Sequence, residues 1–373
     1  MRIVIATDSF KECLTAQEVG QSIQKGIEVE IPDATIDVLP MADGGEGTIN
    51  ALIFSTNGKR VELEATDAYG KRRRTYYGVL GDNKTAVIEI AKVVGLETVS
   101  KRDPLNATSY GVGELILHAL QIGYRKFIIA LGGSATNDGG IGMLQALGGK
   151  FLDSNGDQVP GIGGALHKIE SVDFSEINPL LKECELIVAS DVENALCGPN
   201  GATYVFGPQK RVKETDLFHL DSGLSHYSNL IENTLGKSIQ NTPGAGAAGG
   251  LGFGLLVIGG QINSGAKIVA DAINLEKYIK TADWVITGEG KSDFQTLYGK
   301  VPVYVAKIAK KYGVKTILFS GALGRGYQQL YEYFISCHSI SNGPMSLEDS
   351  IKNANQLLFD SSRNLARLIK HIH

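Results

Sequence analysis

The chain has 373 residues, of which 43% are hydrophobic and 20% are charged, and this balance is typical of a globular protein with buried cores. Its formal net charge of −4 argues against proteins that bind nucleic acid or anionic membranes, because both need a basic surface. The length predicts two domains, and four widely spaced cysteines predict neither a disulfide framework nor a zinc site.

Hydropathy predicts a protein without a signal peptide or a membrane span. The first residues enter a strand pattern at once. The longest apolar region, residues 251–262, is too short to cross a bilayer and is broken by glycines. We therefore expect a cytoplasmic protein.

The first predicted strand, residues 3–6, ends in a polar sequence that contains Asp8, Ser9 and Lys11. Side chains at the carboxyl end of the first strand of an α/β sheet lie where such folds bind ligands. These three residues therefore form a candidate substrate site. The alternative is that Asp8 caps a turn and Lys11 is a surface lysine.

The next helix is predicted by a capping box, since Thr15 is followed three residues later by Glu18. A second strand, residues 36–39, then runs into a glycine-rich turn. Asp43 and Glu46 flank two glycines there, so their carboxylates could share a cleft and hold a divalent cation. They could equally be acidic partners of a helix N-terminus.

Residues 59–89 change to a period of two, which predicts an antiparallel meander and the start of a second domain. The run Lys-Arg-Arg-Arg at 71–74 is a local exception to the acidic balance. Strand-like residues flank it, and we predict a solvated hairpin edge.

The glycine loop, residues 132–140, connects an apolar run at 127–131 to residues with helical spacing. In a strand–loop–helix unit the loop N–H groups and the helix N-terminus form an anion site. The spacing is neither that of a P-loop nor that of a dinucleotide loop. The loop residues predicted to contact the anion are Gly132, Gly133, Ser134, Asn137 and Asp138. The alternative is a tight turn without a ligand.

A strand at residues 186–189 delivers Asp191, and a later loop delivers Lys210. This pair has the chemistry of a base and a phosphate-neutralising cation, although either residue alone would be unremarkable. The glycine- and alanine-rich segment 243–254 predicts either a second phosphate turn or a closely packed helix.

Near the C-terminus, a strand at residues 284–287 ends in a sequence that carries Glu289 and Asp293, a second carboxylate pair. Helix and strand patterns alternate after it, as in doubly wound folds. Five strand ends therefore combine glycine with acidic, lysine or serine residues. Anion cradles beside carboxylates favour phosphoryl transfer from a metal-bound phosphate.

Taken in order, these motifs resemble those of the bacterial glycerate kinase family, type 1. The motifs are Thr-Asp-Ser-Phe-Lys11, Asp-Gly-Gly-Glu-Gly-Thr48, Gly-Gly-Ser-Ala-Thr-Asn-Asp-Gly-Gly140, Ser-Asp-Val192, Phe-Gly-Pro-Gln-Lys210, Gly-Ala-Ala-Gly-Gly250 and Thr-Gly-Glu-Gly290 with Asp293-Phe-Gln-Thr296. The match covers nearly the whole chain. Two departures are Arg211-Val212, where the family commonly has Gly-Ala, and Asn194-Ala-Leu, where it often has Asn-Pro-Leu.

The resemblance implies an α/β protein with two α/β domains and the active site in the cleft between them. Residues 1–58 plus 282–373 would form a Rossmann-like doubly wound domain, with a mixed-sheet α/β domain at 59–281 inserted into it. It implies ATP-dependent phosphorylation of D-glycerate with Mg²⁺, favouring the 2-hydroxyl. Transfer to the 3-hydroxyl, another small hydroxy acid, or a non-catalytic sensor of glycerate or nucleotide stay open as alternatives, and so does a homodimer.

Our catalytic hypothesis assigns one role to each predicted polar residue. Asp191 accepts the proton of the attacking hydroxyl. Lys11 and Lys210 neutralise the glycerate carboxylate and the transferring phosphoryl group. Asp8 and Ser9 contact the substrate.

The cofactor hypothesis is separate. Mg²⁺ would be held by some of Asp43, Glu289 and Asp293, with waters still attached. The glycine loop would cradle the nucleotide phosphates.

Overall fold

A computed structural model of the chain describes residues 1–99 and 101–372. The strands are β1 (Arg2–Ile5), β2 (Thr35–Val38), β3 (Lys59–Thr66), β4 (Arg72–Val79), β5 (Thr85–Glu89), β6 (Lys126–Ala130), β7 (Lys150–Leu152), β8 (Ser171–Asp173), β9 (Glu185–Ala189), β10 (Gln261–Asn263), β11 (Trp284–Ser292), β12 (Lys315–Leu323) and β13 (Ser336–Ser339). The α-helices are α1 (Ala16–Glu30), α2 (Thr48–Thr56), α3 (Ala91–Val94), α4 (Tyr110–Ile122), α5 (Ile141–Ala146), α6 (Ala202–Phe206), α7 (Glu214–Leu235), α8 (Ala247–Val257), α9 (Gly265–Ala272), α10 (Leu275–Ile279), α11 (Val301–Lys311), α12 (Leu347–Lys352) and α13 (Ala354–Ile372).

The chain divides into two compact units. Unit 1 contains Met1–Asp43, Asn50–Asn57 and the chain from Ala266 onwards, and unit 2 contains Gly44–Ile49 and Gly58–Gly265. Within the described ranges, no helix combines the length and the apolar character needed to cross a membrane.

Unit 1 is built on a five-stranded sheet in the order β13-β12-β11-β1-β2, with every pairing parallel. Side chains that alternate along β12 reach two cores. Ile317 and Phe319 pack with residues of α1 and α13, whereas Leu318 packs with Val303 of α11. Helices therefore cover both faces, which explains why the central strands are continuously apolar.

The strands predicted at residues 3–6, 36–39 and 284–287 are confirmed as β1, β2 and β11. The third prediction placed the strand end too early. β11 continues to Ser292 because Gly288, Lys291 and Ser292 stay paired with β12, and Glu289 lies opposite Ser320 inside the sheet. Glu289 is therefore held by strand geometry and not by a loop.

Unit 2 is built on a six-stranded mixed sheet in the order β10-β9-β6-β5-β4-β3. β3, β4 and β5 form the antiparallel meander predicted from the period of two, and β5, β6, β9 and β10 pair in parallel. The protein is thus an α/β protein with one parallel and one mixed sheet, and β7 and β8 form a further two-stranded antiparallel sheet. The parallel strands bring the carboxyl ends of β5, β6 and β9 to a common edge.

Candidate active site

In unit 1, polar residues gather where β1 ends beside β11. The N–H of Asp8 donates to the carbonyl of Gly288 (2.9 Å), which ties the residue after β1 to the neighbouring strand. The N–H of Met41 donates to the carbonyl of Thr7 (2.9 Å) and ties the segment after β2 to the same place. These bonds bring the predicted Asp8, Asp43 and Glu289 into electrostatic contact.

The Asp8 carboxyl group has a strongly shifted pKa. Burial, followed by repulsion from Asp43 and to a lesser degree from Glu289, raises the pKa of Asp8 to about 7. The N–H of Ser9, which donates to Asp8 Oδ1 (2.6 Å), and the Lys11 ammonium act in the opposite direction. A carboxyl group that exchanges its proton near neutral pH fits a proton acceptor or a cation ligand.

Lys11 lies at the rim of this cluster. Its Nζ is 3.8 Å from Asp43 Oδ2, and its side chain is 77% exposed. An exposed ion pair of this length contributes little stability, so the lysine can turn toward an anionic ligand at little cost.

Glu289 is held by its own neighbours. The hydroxyls of Ser292 (2.9 Å) and Thr296 (2.6 Å) donate to Oε1, and Lys300 Nζ lies 3.2 Å from Oε2. The residue is only 7% exposed, so these contacts fix the direction of the carboxylate. Asp293 caps the short 3₁₀ turn Phe294–Leu297 by accepting from the Gln295 N–H (2.9 Å).

Carboxylate oxygens in this cluster suit a hard cation such as Mg²⁺. However, residues 1–99 and 101–372 contain no group of three or more His, Cys, Asp or Glu side chains placed to hold a metal ion by themselves. Mg²⁺ usually takes one or two protein carboxylates and completes its shell with water and substrate phosphates. The cluster is compatible with that kind of site.

In unit 2, the glycine loop is a buried structure. Asp138 is fully buried, and its Oδ2 accepts hydrogen bonds from the N–H and the hydroxyl of Ser109, both 2.7 Å long. The N–H groups of Gly140 (3.1 Å) and Gly142 (3.3 Å) also donate to its carboxylate. Burial raises the pKa of Asp138 while these four hydrogen bonds oppose the shift. Asp138 therefore anchors the start of α5.

Lys210 is 1% exposed and lies against the glycine loop. Its ammonium donates to the hydroxyl of Ser134 (3.0 Å) and to the carbonyl of Thr136 (2.6 Å). Burial lowers the pKa of Lys210 to about 7, and the carboxylate of Asp138 partly opposes this effect. The lysine thus holds the shape of the loop.

The glycine- and alanine-rich segment packs directly on this loop. A Cβ atom on Gly249 would lie 2.0 Å from the Thr136 carbonyl oxygen and 2.8 Å from Lys210 Nζ. Gly249 also has a left-handed φ of +72°. Gly254 and Gly140 approach in the same way, which supports the closely packed interpretation of this segment.

Asn137 is fully buried in the loop. Its amide Nδ2 donates to the hydroxyl of Thr203 (3.0 Å), and its Oδ1 has no hydrogen-bond partner among the described residues. Gly132 lies against Gly45, because a Cβ atom on Gly132 would be 2.4 Å from the Gly45 Cα. The structure therefore brings two of the predicted glycine-rich loops together inside unit 2.

Asp191 follows β9 at the edge of the sheet where the glycine loop follows β6. It is exposed, and its Oδ1 accepts a hydrogen bond from the N–H of Gly265 (3.0 Å). The structure places one predicted lysine against the glycine loop, so that four predicted site residues lie together: Ser134, Asn137, Asp138 and Lys210.

A family model described as the glycerate kinase family matches residues 3–370 of this chain. The chain belongs to the glycerate kinase family. It is 45% identical over 374 residues to the glycerate kinase of Bacillus subtilis strain 168, covering 99% of this chain and 98% of the relative. It is 45% identical over 370 residues to the glycerate 2-kinase of Escherichia coli K12, covering 98% and 97%.

A solved relative has the same fold. A crystal structure from Salmonella typhimurium LT2, provisionally named glycerate kinase 2, superposes with a TM-score of 0.90 at 43% identity. The comparison covers 100% of this chain and 98% of that one.

Sequence reasoning missed two polar features of this glycerate kinase family member. Ser109 anchors Asp138 from 29 residues away, and nothing in the local pattern marks it. Glu89 is 1% exposed at the end of β5, and its Oε1 lies 3.4 Å from Lys92 Nζ. A strand that ends in glutamate, followed three residues later by lysine, is a signal that could have identified this second pair.

Proposed function

We propose that this glycerate kinase transfers the terminal phosphoryl group of ATP to the 2-hydroxyl of D-glycerate and releases 2-phosphoglycerate and ADP. The observation that carries the proposal is the polar cluster of unit 1. There Asp8, with its pKa raised to about 7, lies beside Asp43, Glu289 and Lys11. The name glycerate 2-kinase of the E. coli relative supports the choice of hydroxyl.

The cluster supplies the groups that the acceptor needs. The carboxylate of D-glycerate requires a cation, and the exposed Lys11 ammonium can move to meet it. Asp8 and Ser9 are neighbours in the segment after β1 and are proposed to contact the hydroxyl groups. Helices cover both faces of the parallel sheet, and a Rossmann-like doubly wound arrangement of this kind binds ligands at the carboxyl ends of its strands.

Asp191 is the proposed general base, with Asp8 as the competing candidate. Asp191 is exposed, so a substrate hydroxyl can reach it. Asp8 has the pKa that suits a base at neutral pH. Each would take the proton from the attacking hydroxyl as its oxygen bonds to phosphorus.

Lys210 and the glycine loop are proposed to serve the phosphates. Since Lys210 is bonded to Ser134 and Thr136, its contribution is to hold the loop backbone and to place one positive charge behind it. Asn137 and Asp138 then act from inside the loop and fix its conformation.

The oxygen donors of unit 1 fit Mg²⁺, because repulsion among Asp8, Asp43 and Glu289 would be relieved by a cation. Asp43 and Glu289 are the proposed ligands. Asp293, the third predicted ligand, is the weakest of the set because it is not among the carboxylates that raise the pKa of Asp8. One of its oxygens also caps a turn. When bound, Mg²⁺ neutralises charge on the phosphate oxygens.

The test is an ADP-release assay with D-glycerate, ATP and Mg²⁺, followed by ³¹P NMR of the product. We expect turnover and the phosphorus signal of 2-phosphoglycerate. Formation of 3-phosphoglycerate would overturn the proposed position of transfer. Turnover with another small hydroxy acid but not with D-glycerate would overturn the acceptor.

A further inference from the structure

A basic cavity lies beside the glycine loop in unit 2. Its volume is about 340 Å³. The lining residues that matter here are Arg73, Arg74, Lys92, Arg102, Glu46 and Gly133. The arginine run agrees with the sequence-based prediction of a solvated hairpin edge. Arg72 to Arg74 pair with β3, whereas β5 pairs with β4 only at Gly78 and Val79. Lys71, Arg72 and Arg74 are exposed.

Three of the cations contact neighbouring protein groups. Lys92, whose side chain is 23% exposed, lies 3.4 Å from Glu89 Oε1 and 3.5 Å from Glu46 Oε1. Arg73 donates to the carbonyl of Thr98 (3.4 Å) and Arg102 donates to the carbonyl of Gln209 (2.8 Å). A carbonyl oxygen carries no formal charge, so neither of these two hydrogen bonds neutralises a guanidinium group.

Lys92 keeps its charge at neutral pH. Burial lowers the pKa of Lys92, but the carboxylates of Glu89 and Glu46 more than offset that effect, and the net shift is upward. The cavity therefore has a permanent ammonium on its inner wall.

The charge balance favours an anion with several charges. Among the described residues, four cationic side chains but only two acidic ones, Glu46 and Glu97, line the cavity. A concave surface of one sign concentrates counter-ions. Guanidinium groups match phosphate oxygens in a planar, two-pronged geometry. D-glycerate carries a single negative charge, which would neutralise only one of these four cations.

Gly133 connects the cavity to the glycine loop. It has a left-handed φ of +70°, and the Ala91 Cβ, 3.5 Å away, is the nearest described atom to a Cβ built there. The loop backbone therefore borders the cavity without a side chain between them.

We propose that this cavity binds the phosphate chain of the nucleotide, with Lys92, Arg73 and Arg102 as its cationic contacts. The inference rests on the proposed function only in taking ATP as the phosphoryl donor. It adds a location and three residues that neither the sequence motifs nor the proposed catalytic cluster include.

The test is equilibrium binding of ATP and of inorganic tripolyphosphate to Arg73→Gln and Arg102→Gln. We expect each substitution to raise the Kd for ATP roughly tenfold, because it removes a charge-assisted contact to the phosphates; this change corresponds to about 1.4 kcal/mol. Tripolyphosphate should compete with ATP. Arg72→Gln is the matched control, because Arg72 precedes Arg73 in the chain but pairs with Glu114 and does not line the cavity. It should leave the Kd unchanged.

Steady-state kinetics separate this inference from the proposed function. The two variants should raise KM for ATP and leave KM for D-glycerate near the wild-type value. An unchanged Kd for ATP in both variants, or a rise in KM for D-glycerate alone, would overturn the nucleotide assignment while glycerate turnover stands. Tripolyphosphate that binds without displacing ATP would also overturn it. If wild type binds ATP through these arginines but does not phosphorylate D-glycerate, the cavity assignment stands and the proposed function fails.

Discussion

Two carboxylates on different units have opposite surroundings, and this difference decides how each can be tested. Asp191 is exposed and accepts a backbone hydrogen bond from the N–H of Gly265. Asp8 is half-buried among other acids, and its pKa is raised to about 7. Removing the charge of Asp191 should therefore affect chemistry more than folding, whereas removing that of Asp8 should affect both.

The first prediction concerns Asp191→Asn. We expect kcat to fall by about 10²–10⁴-fold, which is the usual contribution of a general base. The melting temperature should stay close to wild type because the side chain is exposed and asparagine retains the acceptor for the Gly265 N–H. Coupled ADP release and differential scanning calorimetry give the two readings. Near-normal turnover would transfer the role of base to Asp8.

At the scale of elements, the sequence was informative wherever the signal was local. The capping box of α1 is present as predicted, with the Thr15 hydroxyl accepting from the Glu18 N–H (3.2 Å) and the Glu18 carboxylate accepting from the Thr15 N–H (2.8 Å). Periodicity predicted the strands, and Asp8 and Asp43 became candidates because each follows the carboxyl end of a predicted strand. Each of these signals lies within a few neighbouring residues.

The sequence could not predict contacts between residues that lie far apart in the chain. The burial of Lys210 depends on Ser134 and Thr136, which lie more than 70 residues away in the chain. A lysine in a loop is usually exposed, so no local pattern predicts that this one anchors the glycine loop. The extension of β11 through Glu289 likewise depends on pairing with β12, and glycines in the sequence indicated a loop instead.

The capping box gives a direct test of α1. Thr15→Ala should lower the free energy of unfolding by about 1 kcal/mol, because it removes the acceptor for the Glu18 N–H. Activity at a temperature well below unfolding should not change. Urea denaturation measures the loss, and Glu18→Gln serves as the milder comparison because it keeps an acceptor for the Thr15 N–H. Equal stability of Thr15→Ala and wild type would show that the cap is not formed in solution.

The contact between the glycine loop and the first turn of α8 gives a second test at this scale. Gly249→Ala should destabilise the protein by roughly 3 kcal/mol or more, because the new Cβ would overlap the Thr136 carbonyl that Lys210 binds. The control is Gly236→Ala, a left-handed glycine with no described atom within 4 Å of the new Cβ. That change should cost only about 1–2 kcal/mol. Equal losses in urea denaturation would contradict the close packing.

For the whole molecule, Asp8 in unit 1 and Lys210 in unit 2 are ionisable groups whose surroundings disfavour the charged form near neutral pH. The pKa of Asp8 in unit 1 is raised from 3.8 to about 7. Its protonated form therefore contributes to the free energy of unfolding in full below pH 3.8, and this contribution is lost as the pH rises through about 7. The pKa of Lys210 in unit 2 is lowered from 10.5 to about 7, so its stability is complete above pH 10.5 and is lost as pH falls through about 7. The charged forms of both groups therefore lower the free energy of unfolding around pH 7. A cation bound near Asp8, or an anion bound near Lys210, would offset this loss.

The pH dependence of Asp8→Asn tests this argument. Asparagine keeps the acceptor for the Ser9 N–H and removes the buried charge, so the variant should melt above wild type at pH 8, by an amount corresponding to about 1–3 kcal/mol. At pH 4 most of this gain should vanish, because wild-type Asp8 is then protonated in the folded protein. Calorimetry at both pH values, with the exposed Asp33→Asn as control, gives the comparison. A gain of the same size at both pH values would show that packing, and not the charge of Asp8, limits the stability of unit 1. A gain confined to high pH that disappears when Mg²⁺ is added would indicate that the carboxylate cluster loses stability when empty and recovers it when it holds the cation.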